Sequence, residues 1–522
     1  MASPPWFTIP MGYSTEPINS LRGVSQRHQK NHRNQCFEVR NKNAPSPASH
    51  KQFSVKIKKT QTMPSLAASP ATARVLTVAE LLEDVLRLHR AGNFNHAEHC
   101  LREALAQRPE DPFLWNALGV TLAGLGRPAD AVVCYRRAMR GAAEMDALWT
   151  NLGNALTLLR QHETALACHA RALVLAPGNG GHHYNHGISL AEAGRHVEAV
   201  RAFTAALARE PRHGMARWDR GRSLLHLNRL AEGWRDYEVR LESGLVPPRA
   251  LPGRRWAGEE FRGQRLLIAS EQGFGDTIWA CRYVPLVKAR GGTVLLECQP
   301  ELVPLLARLP GVDEVVPLGA ALPVADWHIH QCSLPGLFTP DVAAIPPLAV
   351  LPADPARLAR FGAAITANAL RVGIVWSGST TFKRNGERAQ PLARFRLAFE
   401  QPGVQLYSLQ MGPPRAELEQ LGGHGIIDLA PLLGDFADTA AAIAQLDLVI
   451  MTDSAVAHLA GTLGRPVWVL LGRNAHWLWS GQGRNSPWYP SLRLFRPRAE
   501  EDWDHVFDAA AAALLELAAA RA

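Results

Sequence analysis

A 34-residue period governs the first half of this chain. Trp115-x-x-Leu118-Gly119 returns as Trp149-x-x-Leu152-Gly153, and in weaker form as His183…His186-Gly187 and Arg217…Arg220-Gly221. Seven residues after each Gly stand Gly126, Arg160, Gly194 and Asn228, then a small residue at Ala131, Ala165, Ala199 and Gly233. A ring follows at Tyr135, His169, Phe203 and Tyr237, then Ala138, Ala172 and Ala206, with Pro177 and Pro211 closing two units. One earlier unit fits through Gly92, Ala97, Leu101, Ala104 and Pro109. A fixed period of this length predicts helical hairpins stacked into a solenoid. Small residues let paired helices approach closely, and the Pro ends the second helix of a unit. The last unit loses its Ala to Arg240 and its closing Pro to Leu245, as a terminal unit can.

This pattern resembles the tetratricopeptide repeat, in five units over 77–245. The register also accounts for Cys100, Cys134 and Cys168, which lie 34 apart and so occupy one packed position in successive units. His182, His183 and His186 read as solenoid core or surface rather than metal ligands. Seven Cys without CxxC spacing form neither a disulfide framework nor a zinc site, so a reducing cytoplasm is the simplest compartment.

The net charge of +9 invites a polyanion-binding role. The first 74 residues, however, hold eleven Lys and Arg against two acids, leaving 45 of each sign beyond them. The excess describes a leader, not the folded part, and no nucleic-acid partner is expected for the latter. Residues 1–74 show no persistent period and are read as disordered. A targeting peptide, a dispensable tail, a binding arm and a true start at Met63 all remain open for them; the missing apolar core excludes a secretory signal. No apolar run approaches the ~20 residues of a membrane span.

Beyond the Pro- and Arg-rich connector Val246–Arg255 the period gives way to short apolar runs alternating with helical stretches. Strands are expected at Leu266–Ser270, Thr293–Cys298, Val312–Pro317 and Trp327–Ile329. Helices are expected between them, as at Thr277–Arg290 and Glu301–Leu309. After a Pro-rich linker come strands at Val372–Trp376, Gln405–Leu409, Leu448–Met451 and Val467–Leu471. Two such sets predict two parallel-sheet α/β halves, at 260–350 and 365–520, with ligands beyond the carboxyl ends of the strands.

Three loops at such strand ends carry candidate chemistry. In the first, Gly273-x-Gly275-Asp276 precedes a helix expected from about Thr277. The glycines permit a tight loop and close backbone approach. Asp276 is either a plain N-cap or a general base held at low pKa. In the second, Ser377, Lys383, Arg384 and Arg388 follow a strand; they suit a diphosphate, or form a solvated loop. In the third, a buried strand ends in Thr452-Asp453-Ser454 and a helix of small residues opens at Ala455. Its free N–H groups make an anion site. His458, one turn in, faces that site or is packed.

Together these pieces resemble the bacterial heptosyltransferases, glycosyltransferase family 9, inverting enzymes of GT-B fold, over about 264–497. The likeness rests on the GFGD segment within 266–290, Gly311-Val-Asp-Glu-Val315, Val372-Gly-Ile-Val-Trp-Ser-Gly378, Asp428-Leu429, and Leu446 to Pro466. The resemblance implies that Asp276 is the catalytic base. It implies that Ser377, Lys383, Arg388, Asp453, Ser454, Ala455 and His458 bind the donor, with Gly273 and Gly275 shaping the loop backbone. The family's Asp-Thr-Gly stands here as Asp453-Ser454-Ala455, which keeps the hydroxyl but narrows the space beside it. Arg388 matches a basic residue of tetratricopeptide-bearing relatives. The layout also resembles protein O-GlcNAc transferases, without their donor motifs. The expected function is transfer of a sugar from a nucleotide-sugar to a glycan or protein acceptor hydroxyl, with no cofactor and no metal. The repeats would recruit the acceptor or a partner protein. The alternative is a non-catalytic scaffold with a degenerate transferase domain. The aromatic segment Trp477–Tyr489 either lines the donor cleft or packs in the core.

Overall fold

The computed structural model describes residues 54–57, 74–366, 368–422, 425–473, 475–480, 483–498 and 502–521. They fall into two units, one running to Asp219 and the other beginning at Arg220. Within the leader, β1 (Ser54–Ile57) pairs antiparallel with β2 (Arg74–Thr77), which corrects the expectation of disorder for those residues. The other expectations for the leader, Met63 among them, lie outside the described residues.

The first unit is the solenoid. Its helices are α1 (Val78–Arg90), α2 (Phe94–Gln107), α3 (Pro112–Gly124), α4 (Pro128–Ala142) and α5 (Asp146–Leu158). They continue as α6 (His162–Leu175), α7 (Gly180–Glu192) and α8 (His196–Arg209). Each turn position read from the period is left-handed: φ is +74° at Gly126, +58° at Arg160, +72° at Gly194 and +56° at Asn228. The helix glycines sit under the ring of their own unit. A Cβ on Gly153 would lie 2.7 Å from His169, and one on Gly187 2.6 Å from Phe203. The Trp of the motif is a tether as well as a filler. The Trp115 indole N–H donates to Pro109 O at 2.6 Å and that of Trp149 to Ala143 O at 2.7 Å. His183, standing where Trp stood, keeps this contact, with Nε2 3.0 Å from Pro177 O. Cys100, Cys134 and Cys168 are buried, as their shared register requires.

The second unit opens with the rest of α9 (Gly214–His226), α10 (Leu230–Tyr237) and a 3-10 turn, Glu238–Leu241. A parallel sheet follows, of β3 (Arg254–Arg255), β4 (Arg265–Ala269), β5 (Thr293–Cys298), β6 (Glu314–Pro317) and β7 (Trp327–His330). Its order is β3-β7-β4-β5-β6. Strand β3 extends this half into the connector, ahead of the expected boundary at 260. The helix expected over Thr277–Arg290 is broken into α11 (Phe274–Ala280), a 3-10 turn and α12 (Val284–Lys288). Pro285, which has no N–H to continue the ladder, sits in the first turn of α12. Short helices α13 (Val303–Leu306), α14 (Leu334–Phe338) and α15 (Pro355–Ala364) complete this half and lead to the next.

The second sheet runs β10-β9-β8-β11-β12-β13, all parallel. Its strands are β8 (Leu370–Val375), β9 (Val404–Ser408), β10 (Ile426–Asp428), β11 (Leu448–Thr452), β12 (Val467–Leu470) and β13 (Leu492–Phe495). Helices α16 (Leu392–Phe399), α17 (Ala416–Gln420), α18 (Phe436–Gln445), α19 (Ala455–Thr462) and α20 (Trp503–Ala519) accompany it. Phe395, Phe399 and Phe507 pack with Ile374 and Trp376 on one face of the sheet. The architecture is therefore a helical-repeat solenoid followed by two Rossmann-like parallel sheets. No helix among the described residues is long and apolar enough to cross a membrane.

His169 occupies the ring position of its unit, fully buried, with neither ring nitrogen hydrogen-bonded among the described residues. Burial lowers its pKa to about 3. The folded state thus excludes the proton that the unfolded chain takes up below pH 6.5, and stability falls as pH drops from about 6.5 toward 3. His169→Phe, the residue type of Phe203, removes this loss. At pH 5 the variant is expected to be about 2 kcal/mol more stable than at the same pH with His. Urea denaturation at pH 5 and 7.5 measures it.

Candidate active site

Both sheets of the second unit reverse their strand order at the point where the candidate loops leave. In the first, the chain builds outward from β4 through β5 to β6 and returns to β7, beside β4. In the second it builds outward from β8 through β9 to β10 and returns to β11, where Met451 pairs with Val375. A crevice opens at the carboxyl end of such a reversal because the connections leave it on opposite sides. All three loops stand at these reversals.

The loop after β4 reaches left-handed backbone at Gln272, φ +65°, and not at either glycine. Gly273 is the N-cap of α11, and Asp276 is its third residue, three positions later in the helix than expected. The Gly273 N–H donates to Asp276 Oδ2 at 3.1 Å. Gly275 is needed for proximity: a Cβ there would lie 2.7 Å from the His458 ring and 3.6 Å from Ala455 Cα. The first turns of α11 and α19, from the two halves, therefore touch. Phe274 and Phe436 pack ring to ring beside them, centroids 5.0 Å apart. Asp276 is half-buried beside this contact. Burial first, then the neighbouring charges of Glu271 and Asp453, outweigh the backbone hydrogen bonds and push its pKa up to about 6. The expected low pKa is corrected: burial overrides the helix N-terminus.

The loop after β8 is pinned from below. Gln410, at the end of β9, accepts N–H bonds from Trp376 and Ser377 and donates to Ser377 O. The Ser377 hydroxyl is turned into the loop, where it accepts from Asn385 Nδ2 at 3.0 Å. Lys383 stands exposed at the crown. The Arg388 guanidinium lies 4.5 Å from the Phe382 ring centre, bonds Asn385 Oδ1 at 3.3 Å and comes within 3.7 Å of Asp453 Oδ2. The second and third loops thus meet at Arg388 and Asp453.

In the third loop Ser454 is the N-cap of α19 in extended backbone, yet its hydroxyl caps nothing. That buried oxygen has no hydrogen-bond partner among the described residues, and neither has Thr452 Oγ1. Ala455 opens the helix. His458 is packed: its ring stacks on Trp479 at 4.8 Å, with Nδ1 2.9 Å from the Tyr489 hydroxyl. Burial lowers its pKa to about 3, so it carries no charge toward an anion.

Several neighbours were not read from the sequence. Glu271 borders Asp276 electrostatically. His476, lowered by burial to about 4, feels both Asp453 and Arg388. Arg282 is buried and bonds the Trp488 carbonyl at 3.0 Å. Trp279, Trp477 and Trp488 pack edge to face with Trp234 alongside, all buried, so the aromatic segment builds the core between the halves rather than an open lining. The signal for Arg282 was its charge in otherwise apolar surroundings.

A tetratricopeptide repeat model matches residues 85–138 and 184–237, and the chain carries such repeats. Protein FlbA of Caulobacter vibrioides is 33% identical over 325 residues, covering 55% of this chain and 53% of FlbA. The chain therefore spans about half the length of that curated relative. Among solved structures, a glycosyl transferase family 9 protein from Veillonella parvula DSM 2008 overlaps at 13% identity. It covers 50% of this chain and 99% of its own, with a TM-score of 0.38. A thermophilic TPR protein in Thermus thermophilus overlaps at 23% identity, over 31% of this chain and 90% of its own, with a TM-score of 0.29.

Because the native pKa of Asp276 lies above its unfolded value of 3.8, the folded state holds the proton longer. Its contribution to stability is therefore lost as pH rises from about 4 to about 6. Asp276→Asn keeps an acceptor for the Gly273 N–H and removes the charge. The variant is expected to be about 3 kcal/mol more stable than the parent at pH 8 and indistinguishable from it near pH 3.5, by denaturant titration.

Proposed function

We propose that the second unit is an inverting glycosyltransferase using a nucleotide-sugar donor and an acceptor hydroxyl. The observation that carries this reading is the contact at Gly275. It sets a carboxylate of near-neutral pKa beside a helix N-terminus that offers an unpartnered hydroxyl, with a guanidinium close by. The acceptor would lie against 260–350 and the nucleotide against 365–520. Asp276 takes the acceptor proton as that oxygen attacks the anomeric carbon from the face opposite the diphosphate. The C1–O bond breaks and its electron pair leaves with the diphosphate. Arg388, Lys383, the Ser454 hydroxyl and the N–H groups of α19 stabilise that growing charge. Buried neutral His458 and the tryptophans around it keep water from the reacting side. A base with pKa about 6 is both ionised and basic near neutral pH, the compromise that proton transfer requires. The sequence resemblance to the heptosyltransferases agrees with these roles. The repeats serve to recruit the acceptor or a partner protein, and the buried free cysteines suit a cytoplasmic setting.

ADP-, UDP-, GDP- and dTDP-sugars are screened for thermal stabilisation and for hydrolysis or transfer. One donor is expected to stabilise the protein and to turn over. With that donor kcat/KM rises about tenfold per pH unit below about pH 6 and levels off above it. Asp276→Asn keeps donor binding and loses at least ~100-fold in kcat. If no donor binds, the scaffold reading replaces this one; if the variant keeps its turnover, Asp276 is not the base.

A further inference from the structure

The position held by Ala138, Ala172 and Ala206 in earlier repeats is Arg240 in the fifth, and it is wholly buried. Its guanidinium grips Glu271 with both arms, Nη2 to Oε1 at 2.6 Å and Nε to Oε2 at 3.0 Å. It also donates to Ser333 Oγ at 2.9 Å and to Glu238 Oε1 at 2.7 Å. Glu271 in turn accepts the Cys332 N–H at 3.0 Å, and its backbone carbonyl accepts from Gln331 Nε2. That same Gln331 amide donates to Thr277 Oγ1 at 3.1 Å, next to Asp276. Hydrogen bonds thus run unbroken from the end of the repeat array to both sides of the residue proposed as base. Arg240 and this loop belong to the same unit.

Two physical points give the linkage a purpose. A buried ion pair is a poor stabiliser, since apolar residues of similar size often serve as well or better, which leaves the setting of geometry as the role open to it here. The loop needs fixing, because Gln272 holds left-handed backbone that a non-glycine residue does not choose unaided.

We propose that Arg240 is a positioning residue: through Glu271 it holds the 271–276 loop in its working shape, so the last repeat is part of the transferase site. The catalytic side of this rests on the transferase reading above; the structural side does not.

The test uses the full-length chain. Arg240→Met leaves Glu271 buried and unpaired, and its Tm falls. Arg240→Met with Glu271→Gln removes both charges and returns Tm to within a few degrees of the parent. In that double variant, hydrogen exchange over 270–277 is expected to be at least tenfold faster, with exchange over 448–454 unchanged. With the donor found by the screen, kcat falls at least tenfold while donor KM stays within twofold. Parental exchange in the double variant, or faster exchange with parental kcat, overturns the proposal. Arg240→Lys keeps the charge without the two-armed grip. It covers the case in which the Met variants do not fold: parental exchange there overturns the proposal equally. If the parent turns over no donor, the transferase reading fails, and exchange alone decides whether Arg240 holds the loop.

Discussion

The second unit depends on one close approach. Gly275 lets the first turn of α11 lie against Ala455 and His458 in the first turn of α19, where any side chain would collide with the imidazole. This brings together an acidic residue from one sheet and a helix N-terminus from the other. Aromatic packing supports the contact from one side. His458 is clamped between Trp479 and Tyr489, Arg282 spans to the Trp488 carbonyl, and Trp279 fills the angle between them. The raised pKa of Asp276 follows from that packing, because burial and two neighbouring carboxylates both disfavour its charged form.

Much of this architecture was legible beforehand. The 34-residue register located every turn of the solenoid, down to the left-handed Arg160 and Asn228, since sterics leave few ways to close such a hairpin. Most sheet strands were found within a residue or two from apolar runs. Strands β3, β10 and β13 were not, being two to four residues long and set among Arg, Pro and Gly, where no periodicity can develop. Their places are fixed by neighbours distant in sequence.

The site was legible in its parts and not in its relations. Ser377 and His458 have the chemistry of ligands, yet the fold uses one to brace its own loop and the other to seat a helix. Asp276 has the sequence setting of a depressed pKa, and tertiary packing reverses it. Gly273 and Gly275 permit a tight loop, but the left-handed residue is Gln272. Each difference has one origin: local sequence reports what a residue prefers, while burial decides what remains within its reach.

The replacement of a repeat alanine by Arg240 bears on how such a chain can change its length. Earlier units meet their neighbours through polar pairs 32 residues apart, His89 with Thr121, Thr150 with His182 and Thr157 with Ser189. The fifth meets an α/β fold through charged hydrogen bonds to Glu271 and Ser333 and an indole bond from Trp234 to the Thr339 carbonyl. No other unit carries those groups at those positions. Whatever the number of earlier units, the last hairpin is keyed to the α/β fold it is bonded to.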